Sequence, residues 1–283
     1  MKVAFFGTPD IGIGILDALL KSRHEIVAIV SQPDKIGGRG HEMIKPPVAK
    51  WAIAHKIPLF QEKSISKALA DGVVKFTADI IITCAFGQIL KQNVLDHCPR
   101  GVINIHFSLL PKYRGASPIN FAIINGDTET GVTIAQTELG LDCGDILKQI
   151  RFPIHADETA GELYARCGTL CVAPLLETLD EIERGTVSRN PQDHARATKI
   201  PMIKKADAQI DFSKSPHEIV NFVRGMNPWP CAFASSNHGD IRVHRASVVN
   251  GELRIDVVQP AGGRPMPWRD FINGHKDFKW VDK

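Results

Sequence analysis

Apolar residues in the first half of the chain fall into two alternating patterns. Short β-branched runs, KVAFF (2–6), IVAIV (26–30), DIIITCA (79–85) and GVINI (101–105), each precede a longer amphipathic stretch: IGIGILDALLKS, PPVAKWAIAHK, ILKQNVLDH and ASPINFAIING. A short continuous apolar run suits a strand buried on both faces, and apolar positions three and four apart form the buried stripe of a helix. Their alternation predicts parallel βαβ units in an α/β, Rossmann-like, doubly wound and mostly parallel sheet. Ligands of such sheets bind outside the carboxyl ends of the strands.

After residue 130 the pattern changes. GVTIAQTEL and GDILKQIRFPI read as two strands joined by the turn-like GLDCG, a hairpin. One long helical segment follows (158–185), then a polar, proline-containing stretch whose residues 189–204 read as a linker. Beyond it come one helix (SPHEIVNFVRGM), an aromatic-proline segment NPWPCAF, and two strands, IRVHRASVV and ELRIDVVQ. The expected division is a catalytic domain over 1–188, the linker, and a small β-rich domain over 205–283.

Composition narrows the classes. The chain has 283 residues, enough for one large or two medium domains, and no run of eighteen apolar residues. Neither a membrane span nor a signal peptide is expected, which makes a cytoplasmic location the default. The six cysteines have no CxxC spacing and read as buried free thiols. A formal net charge of +3 permits a nucleic-acid partner without demanding one. The glycines of GTPDIGIG do not fit GxGxxG and no acidic residue ends the second strand, so a nicotinamide cofactor is not expected. The eleven histidines show no HExxH or HxH spacing, so no metal site is expected.

The candidate chemistry lies at the end of the fourth run. Asn104 and His106 stand two residues apart, so both side chains face the same side of a pleated strand. No serine or cysteine elbow accompanies them. His106 alone is equally a capping or core histidine. Asp142 lies in the GLDCGD turn, where Gly140 and Gly144 would let the backbone approach a ligand closely; alone it reads as a turn aspartate, with Asp145 as the rival acid. The segment QPDKIGGRGHEMIKPP (32–47) is long for a βα connection and carries Lys35, Arg39 and Lys45 against Asp34 and Glu42. It is a functional loop or a mobile insertion.

Asn104-x-His106, the following SLLPKYRG, and LDCGD with Asp142 thirty-six residues after the histidine resemble the 10-formyltetrahydrofolate-dependent formyltransferases. GTPD (7–10), GRG (38–40), ETGVTI (129–134), GLDCGDIL (140–147), NPWP (227–230) and QPAGGRPM (259–266) are similar to the branch of that family acting on initiator methionyl-tRNA in translation initiation. The resemblance implies transfer of a formyl group from 10-formyltetrahydrofolate to an amine, through a tetrahedral intermediate whose oxygen needs donors aimed at it. Asn104 and His106 would be those donors, and Asp142 would orient the imidazole and favour its charged form.

By the same resemblance, Phe86, Gly87, Gln88, Ile89 and Leu90 would hold the folate, with Ser108, Leu109 and Pro111 shaping the adjoining turn. Arg114 would steady an anionic group or the loop. Arg39, with Lys35 and Lys45, would touch the tRNA. Two departures stand out. His41 and Glu42 follow GRG where the family usually has lysines, and the C-terminal OB-like barrel would be shortened, because only Asn250, Gly251 and Glu252 separate IRVHRASVV from LRIDVVQ. Residues 205–283 hold eleven Lys or Arg against nine Asp or Glu, a weak footprint for RNA. The alternatives are formylation of a small amine, such as an amino sugar or an amino acid derivative, hydrolysis of the formyl-folate, and a non-catalytic tRNA- or folate-binding module.

Overall fold

The computed structural model describes residues 1–37 and 42–281. In chain order the elements are β1 (Lys2–Gly7), α1 (Ile11–Lys21), β2 (Glu25–Val30), β3 (Lys35–Gly37), β4 (Glu42–Ile44), α2 (Pro47–Ala54), β5 (Leu59–Phe60), α3 (Ile65–Ala70), β6 (Ile80–Cys84), α4 (Gln92–Leu95) and β7 (Val102–His106). There follow β8 (Arg114–Gly115), α5 (Pro118–Ile124), β9 (Glu129–Gln136), β10 (Ile146–Pro153), α6 (Ala160–Leu170), α7 (Val172–Arg184), β11 (Lys199–Ile200), α8 (Pro216–Gly225), β12 (Phe233–Ser236), β13 (Gly239–Val249), β14 (Glu252–Gln259), β15 (Met266–Pro267) and α9 (Trp268–Gly274).

Contacts divide the chain into two compact units. One comprises Met1–Arg114, Gly131–Arg151 and Ala165–Thr198; the other comprises Gly115–Thr130, Phe152–Tyr164 and Lys199–Lys283. A seven-stranded sheet in the order β10-β9-β7-β6-β1-β2-β5 carries the first. The pairs β1–β2, β1–β6, β2–β5 and β6–β7 are parallel, and β7–β9 is antiparallel. Val3 through Phe6 of β1 and all of β6 are buried, as expected of unbroken apolar runs covered on both faces. One face closes over Phe6, Val30, Ile65, Ile81, Phe86 and Val102. Helix α2 starts on Pro46-Pro47, where a missing N–H costs nothing, and α7 stops at Gly185 with φ +73.

In the second unit, α8 opens with a capping box, the Ser215 hydroxyl accepting from Glu218 N while the Glu218 carboxylate accepts from Ser215 N. The four-stranded sheet runs β12-β13-β14-β15 with antiparallel pairs. Ile219 and Val223 share a core with Ile241, Val243, Val258 and Phe271. Trp268 and Trp280 stack at 5.7 Å beside it.

The C-terminal sheet is small and antiparallel, and its strand β12 bridges further to Gln209 and Trp280 through Phe233 and Ser236. Several expectations are revised. The units are not contiguous in sequence: 115–130, including the predicted helix α5, and 152–164 belong with the C-terminal residues, which a strand-helix alternation cannot register. The expected linker 189–204 is tied down. Asn190 bridges to Ile146, Gln192 is buried, and His194–Arg196 form a 3-10 turn. The long helix over 158–185 is two helices, because Pro174 has no N–H to give Leu170 and starts α7 in its first turn. ILKQNVLDH is helical only at Gln92–Leu95. Part of the 32–47 loop is a hairpin, β3 paired with β4, that exposes Ile36, Met43 and Ile44.

Ile81 is fully buried in β6. Ile81→Ala is expected to lower stability by about 3–4 kcal/mol through lost transfer energy and the cavity left behind. Urea denaturation checks it.

Candidate active site

The sheet order places β1 between β2 and β6, so successive connections leave β1 in opposite directions, and the crevice such a reversal opens lies at the carboxyl ends of β1 and β6. The segment 85–90 leaves β6 there. It is anchored from within: the Phe86 carbonyl accepts from Thr8 Oγ1 (2.9 Å) and Gln32 Nε2 (3.2 Å), while Gln88 accepts from Ile65 N (2.9 Å) and donates to the Glu62 carbonyl (2.7 Å). Phe86 packs on Phe6 at 5.3 Å, and Leu90 lies half-buried against the core. Gly87 has φ +82, and Ile89 projects outward, 94% exposed. The anchors are Phe86 and Gln88; the surface left for a ligand is Gly87, Ile89 and the outer side of Leu90.

On β7, Asn104 and His106 are brought together with Asp142 from the β9–β10 turn. Thr83 Oγ1 donates to Asn104 Oδ1 (2.7 Å), which fixes the amide so that Nδ2 donates to Asp142 Oδ1 (3.3 Å). His106 is 5% exposed. Its Nε2 lies 2.9 Å from the Tyr113 carbonyl, an acceptor only, so Nε2 carries the proton. Nδ1 is then the basic atom, and it faces Asp142 Oδ2 at 3.7 Å. Burial holds the imidazole below its ordinary pKa, outweighing Asp142 and the Tyr113 carbonyl, which both push it up. The expected influence of Asp142 is therefore present in sign, but desolvation keeps the ring neutral.

Backbone strain gathers here. Ala85 (φ +46), Tyr113 (φ +62) and Asp142 (φ +48) all occupy the left-handed region without being glycine. The two glycines flanking Asp142 are required by the turn itself. A Cβ on Gly144 would stand 2.0 Å from the Gln136 carbonyl, and one on Gly140 2.7 Å from Cys143 Sγ.

Ser108 is fully buried and donates to the Lys112 carbonyl (2.6 Å), while its own carbonyl accepts from Thr133 Oγ1 (2.6 Å). It fixes the turn carrying Leu109 and Pro111 and has no hydroxyl proton left for a ligand. Arg114 is buried and donates to Gln192 and His194, so it steadies a loop. Lys45 is paired with Asp34 at 2.8 Å, and Gln61 holds the other oxygen of that carboxylate. Of the three cations expected to meet RNA, Lys35 is exposed, Lys45 is spent within the loop, and Arg39 lies outside the described residues. A cavity of about 450 Å³ lies under the hairpin, lined by Thr8, Asp10, Gln32, Lys35, Ile36 and Pro46 among others. Thr83, Tyr113 and Gln192 were missed by sequence reasoning. Tyr113 acts through its carbonyl, for which no side-chain signal exists, and Gln192 lay in the presumed linker.

Among the described residues His24, Asp180 and Glu183 could geometrically hold a metal ion. Two cations already compete for these carboxylates: the Met1 ammonium sits 3.0 Å from Glu183, and Arg23 2.8 Å from Asp180. Among the described residues no helix is long and apolar enough to cross a membrane.

A strand-end amide, a proton-accepting imidazole and a carboxylate thus lie together on a doubly wound sheet, and sequence comparison gives the class of protein that carries them. Residues 1–179 match the formyl transferase family and residues 202–253 the formyl transferase C-terminal domain; the chain belongs to this family. The relatives it resembles include a methionyl-tRNA formyltransferase of Acetivibrio thermocellus, 43% identical over 302 aligned positions that span 98% of this chain and 97% of the relative. Among solved structures, a sugar 3N-formyl transferase superimposes with a TM-score of 0.70 at 22% identity, covering 92% of this chain and 93% of its own. A methionyl-tRNA formyltransferase from Clostridium thermocellum does so at 0.64 and 17% identity, covering 92% and 98%.

Because the folded-state pKa of His106 lies below that of a free imidazole, about 6.5, the unfolded chain binds more protons as pH falls. Stability is full above that value and declines below it, and His24, depressed in the same direction by burial, adds to the decline. Urea midpoints at pH 7.5 and 5.5 are expected to differ, and His106→Asn to narrow the difference.

Gly144→Ala is expected to cost roughly 1–3 kcal/mol, because backbone must shift to admit the methyl group. Thermal unfolding together with the turnover assay described next measures it.

Proposed function

We propose that this chain transfers the formyl group of 10-formyltetrahydrofolate to the α-amino group of initiator methionyl-tRNA, in the cytoplasm. The observation that carries the reading is His106 Nδ1, unprotonated and facing Asp142 beside the Asn104 amide, in a chain aligned nearly end to end with relatives of that activity. The donor, when bound, supplies an activated formyl carbon. The residues fit such a co-substrate: the 85–90 loop is braced from behind and turns Ile89 outward, which suits packing on a flat ring.

His106 Nδ1 takes a proton from the attacking amine as the new C–N bond forms and returns it to N10 of the folate as the formyl C–N10 bond breaks, so that tetrahydrofolate leaves neutral at that nitrogen. Between these steps the imidazolium is held at both nitrogens, by the Tyr113 carbonyl and by Asp142, which offsets the burial that keeps the resting ring neutral. Asn104 Nδ2 gives one proton to Asp142 and directs the other to the formyl oxygen as it gains charge. No covalent enzyme intermediate is needed, since the amine attacks directly. The cavity beneath the β3–β4 hairpin suits the aminoacyl end of the acceptor, with the exposed Ile36, Met43 and Ile44 and the cation Lys35 beside it.

The test is release of tetrahydrofolate with label transferred to methionine, using charged initiator tRNA, uncharged tRNA and a nucleotide-linked amino sugar as acceptors. Transfer to the charged tRNA alone supports the reading. Transfer to the sugar identifies a small-amine enzyme, and release without transfer a hydrolase.

In that assay His106→Ala and Asp142→Asn are expected to lower kcat on the order of 10²–10⁴-fold with folate affinity retained. The acid limb of the rate profile is expected below about 6.5, since Nδ1 must be free of its proton. Asp142→Asn should move any residual activity's limb to lower pH, because the charge that raises the His106 pKa is gone. Arg39→Ala is expected to raise KM for tRNA and leave that for folate unchanged.

A further inference from the structure

The catalytic pair is not held by its own strands alone. Asp142 and Tyr113, the residue whose carbonyl fixes the His106 tautomer, both sit at positive φ, a conformation that persists only where surroundings impose it. In both cases a hydrogen bond imposing it comes from one segment. Gln192 is buried, and its Nε2 donates to the Asp142 carbonyl (2.9 Å) and the Gly144 carbonyl (2.7 Å). Its Oε1 accepts twice from Arg114, from Nε (3.1 Å) and Nη2 (2.6 Å), so the hydrogen-bonding capacity of the amide is fully used. Six residues on, Thr198 Oγ1 accepts from Tyr113 N (2.8 Å), the Thr198 carbonyl accepts from Arg114 N (2.8 Å), and Thr198 N donates to the Pro111 carbonyl (3.2 Å). Asn190 pairs with Ile146 through both backbone groups, fixing where the segment starts.

We propose that residues 190–198 are a positioning strap for catalysis, in which Gln192 sets Asp142 and Thr198 sets His106 through the Tyr113 carbonyl. Neither residue touches the reacting atoms. The strap rests on the activity proposed above for its catalytic consequence, but its mechanical claim stands apart from it. Glutamate at 192 would keep the volume and the bond to Arg114 while losing both donated protons and setting a carboxylate against two carbonyl oxygens. Valine at 198 would keep the shape and lose the acceptor; serine would keep the acceptor. Thr198 is exposed, so these changes leave the core intact.

The experiment compares the full-length chain with Gln192→Glu, Thr198→Val and Thr198→Ser, by formyl-transfer kinetics and by amide hydrogen exchange at residues 113–114 and 142–145. The strap predicts that Gln192→Glu loses kcat by about tenfold or more, since small misplacements of reacting groups cost that much, with both KM values within about twofold. Exchange at 142–145 quickens in that variant. Thr198→Val loses kcat by several-fold and quickens exchange at 113–114, and Thr198→Ser restores both. Wild-type kcat and unchanged exchange in Gln192→Glu would overturn the proposal, as would a Thr198→Ser variant no better than Thr198→Val. If the unmodified chain transfers no formyl group, the proposed activity fails, and exchange alone decides: quickening in Gln192→Glu upholds the strap and unchanged protection overturns it.

Discussion

A single hydrogen bond sets the chemistry of this molecule: the one from His106 Nε2 to the Tyr113 carbonyl. A carbonyl cannot donate, so the bond fixes the tautomer and leaves Nδ1 as the only basic nitrogen of the ring. Everything else at the site is arranged around that choice. Burial keeps the ring neutral at rest, Asp142 stands off Nδ1 at 3.7 Å, and Thr83 turns the neighbouring amide so that its protons face inward. With Nδ1 unprotonated neither it nor the Asp142 carboxylate can donate, and at 3.7 Å no hydrogen bond joins them.

The sheet explains why such a site can be rigid. Asn104 and His106 end a strand whose parallel neighbour pairs with it as far as Asn104 and whose antiparallel neighbour pairs with it as far as His106. The remaining freedom lies in the turns, and the residues at positive φ concentrate there. Strain of this kind is tolerated only because polar side chains on other segments hold the turns from outside.

Much of this was legible in the sequence. The β-branched runs marked the parallel strands, the strand-end spacing singled out Asn104 and His106, and the resemblance to the formyltransferases joined Asp142 to them, the three residues that the structure brings together. What was not legible acts through the backbone or across chain breaks. Tyr113 contributes a carbonyl, which carries no side-chain signature. Gln192 lies in a polar stretch that composition assigns to a linker, and only its buried, fully bonded amide shows otherwise. The two interleaved units were hidden because residues 115–130 and 152–164 have ordinary strand and helix patterns but pack with a distant part of the chain.

The closeness of Gly144 to the Gln136 carbonyl has a consequence for how the family could diversify. The β9–β10 turn has no slack, and strands on either side alternate the direction of their side chains with every residue. Adding or removing one residue there would carry Asp142 off its partners or reverse the facing of β10. The length of this turn is therefore fixed by what packs around it. The residue count of that turn is thus as much a part of the arrangement of Asn104, His106 and Asp142 as the three side chains themselves.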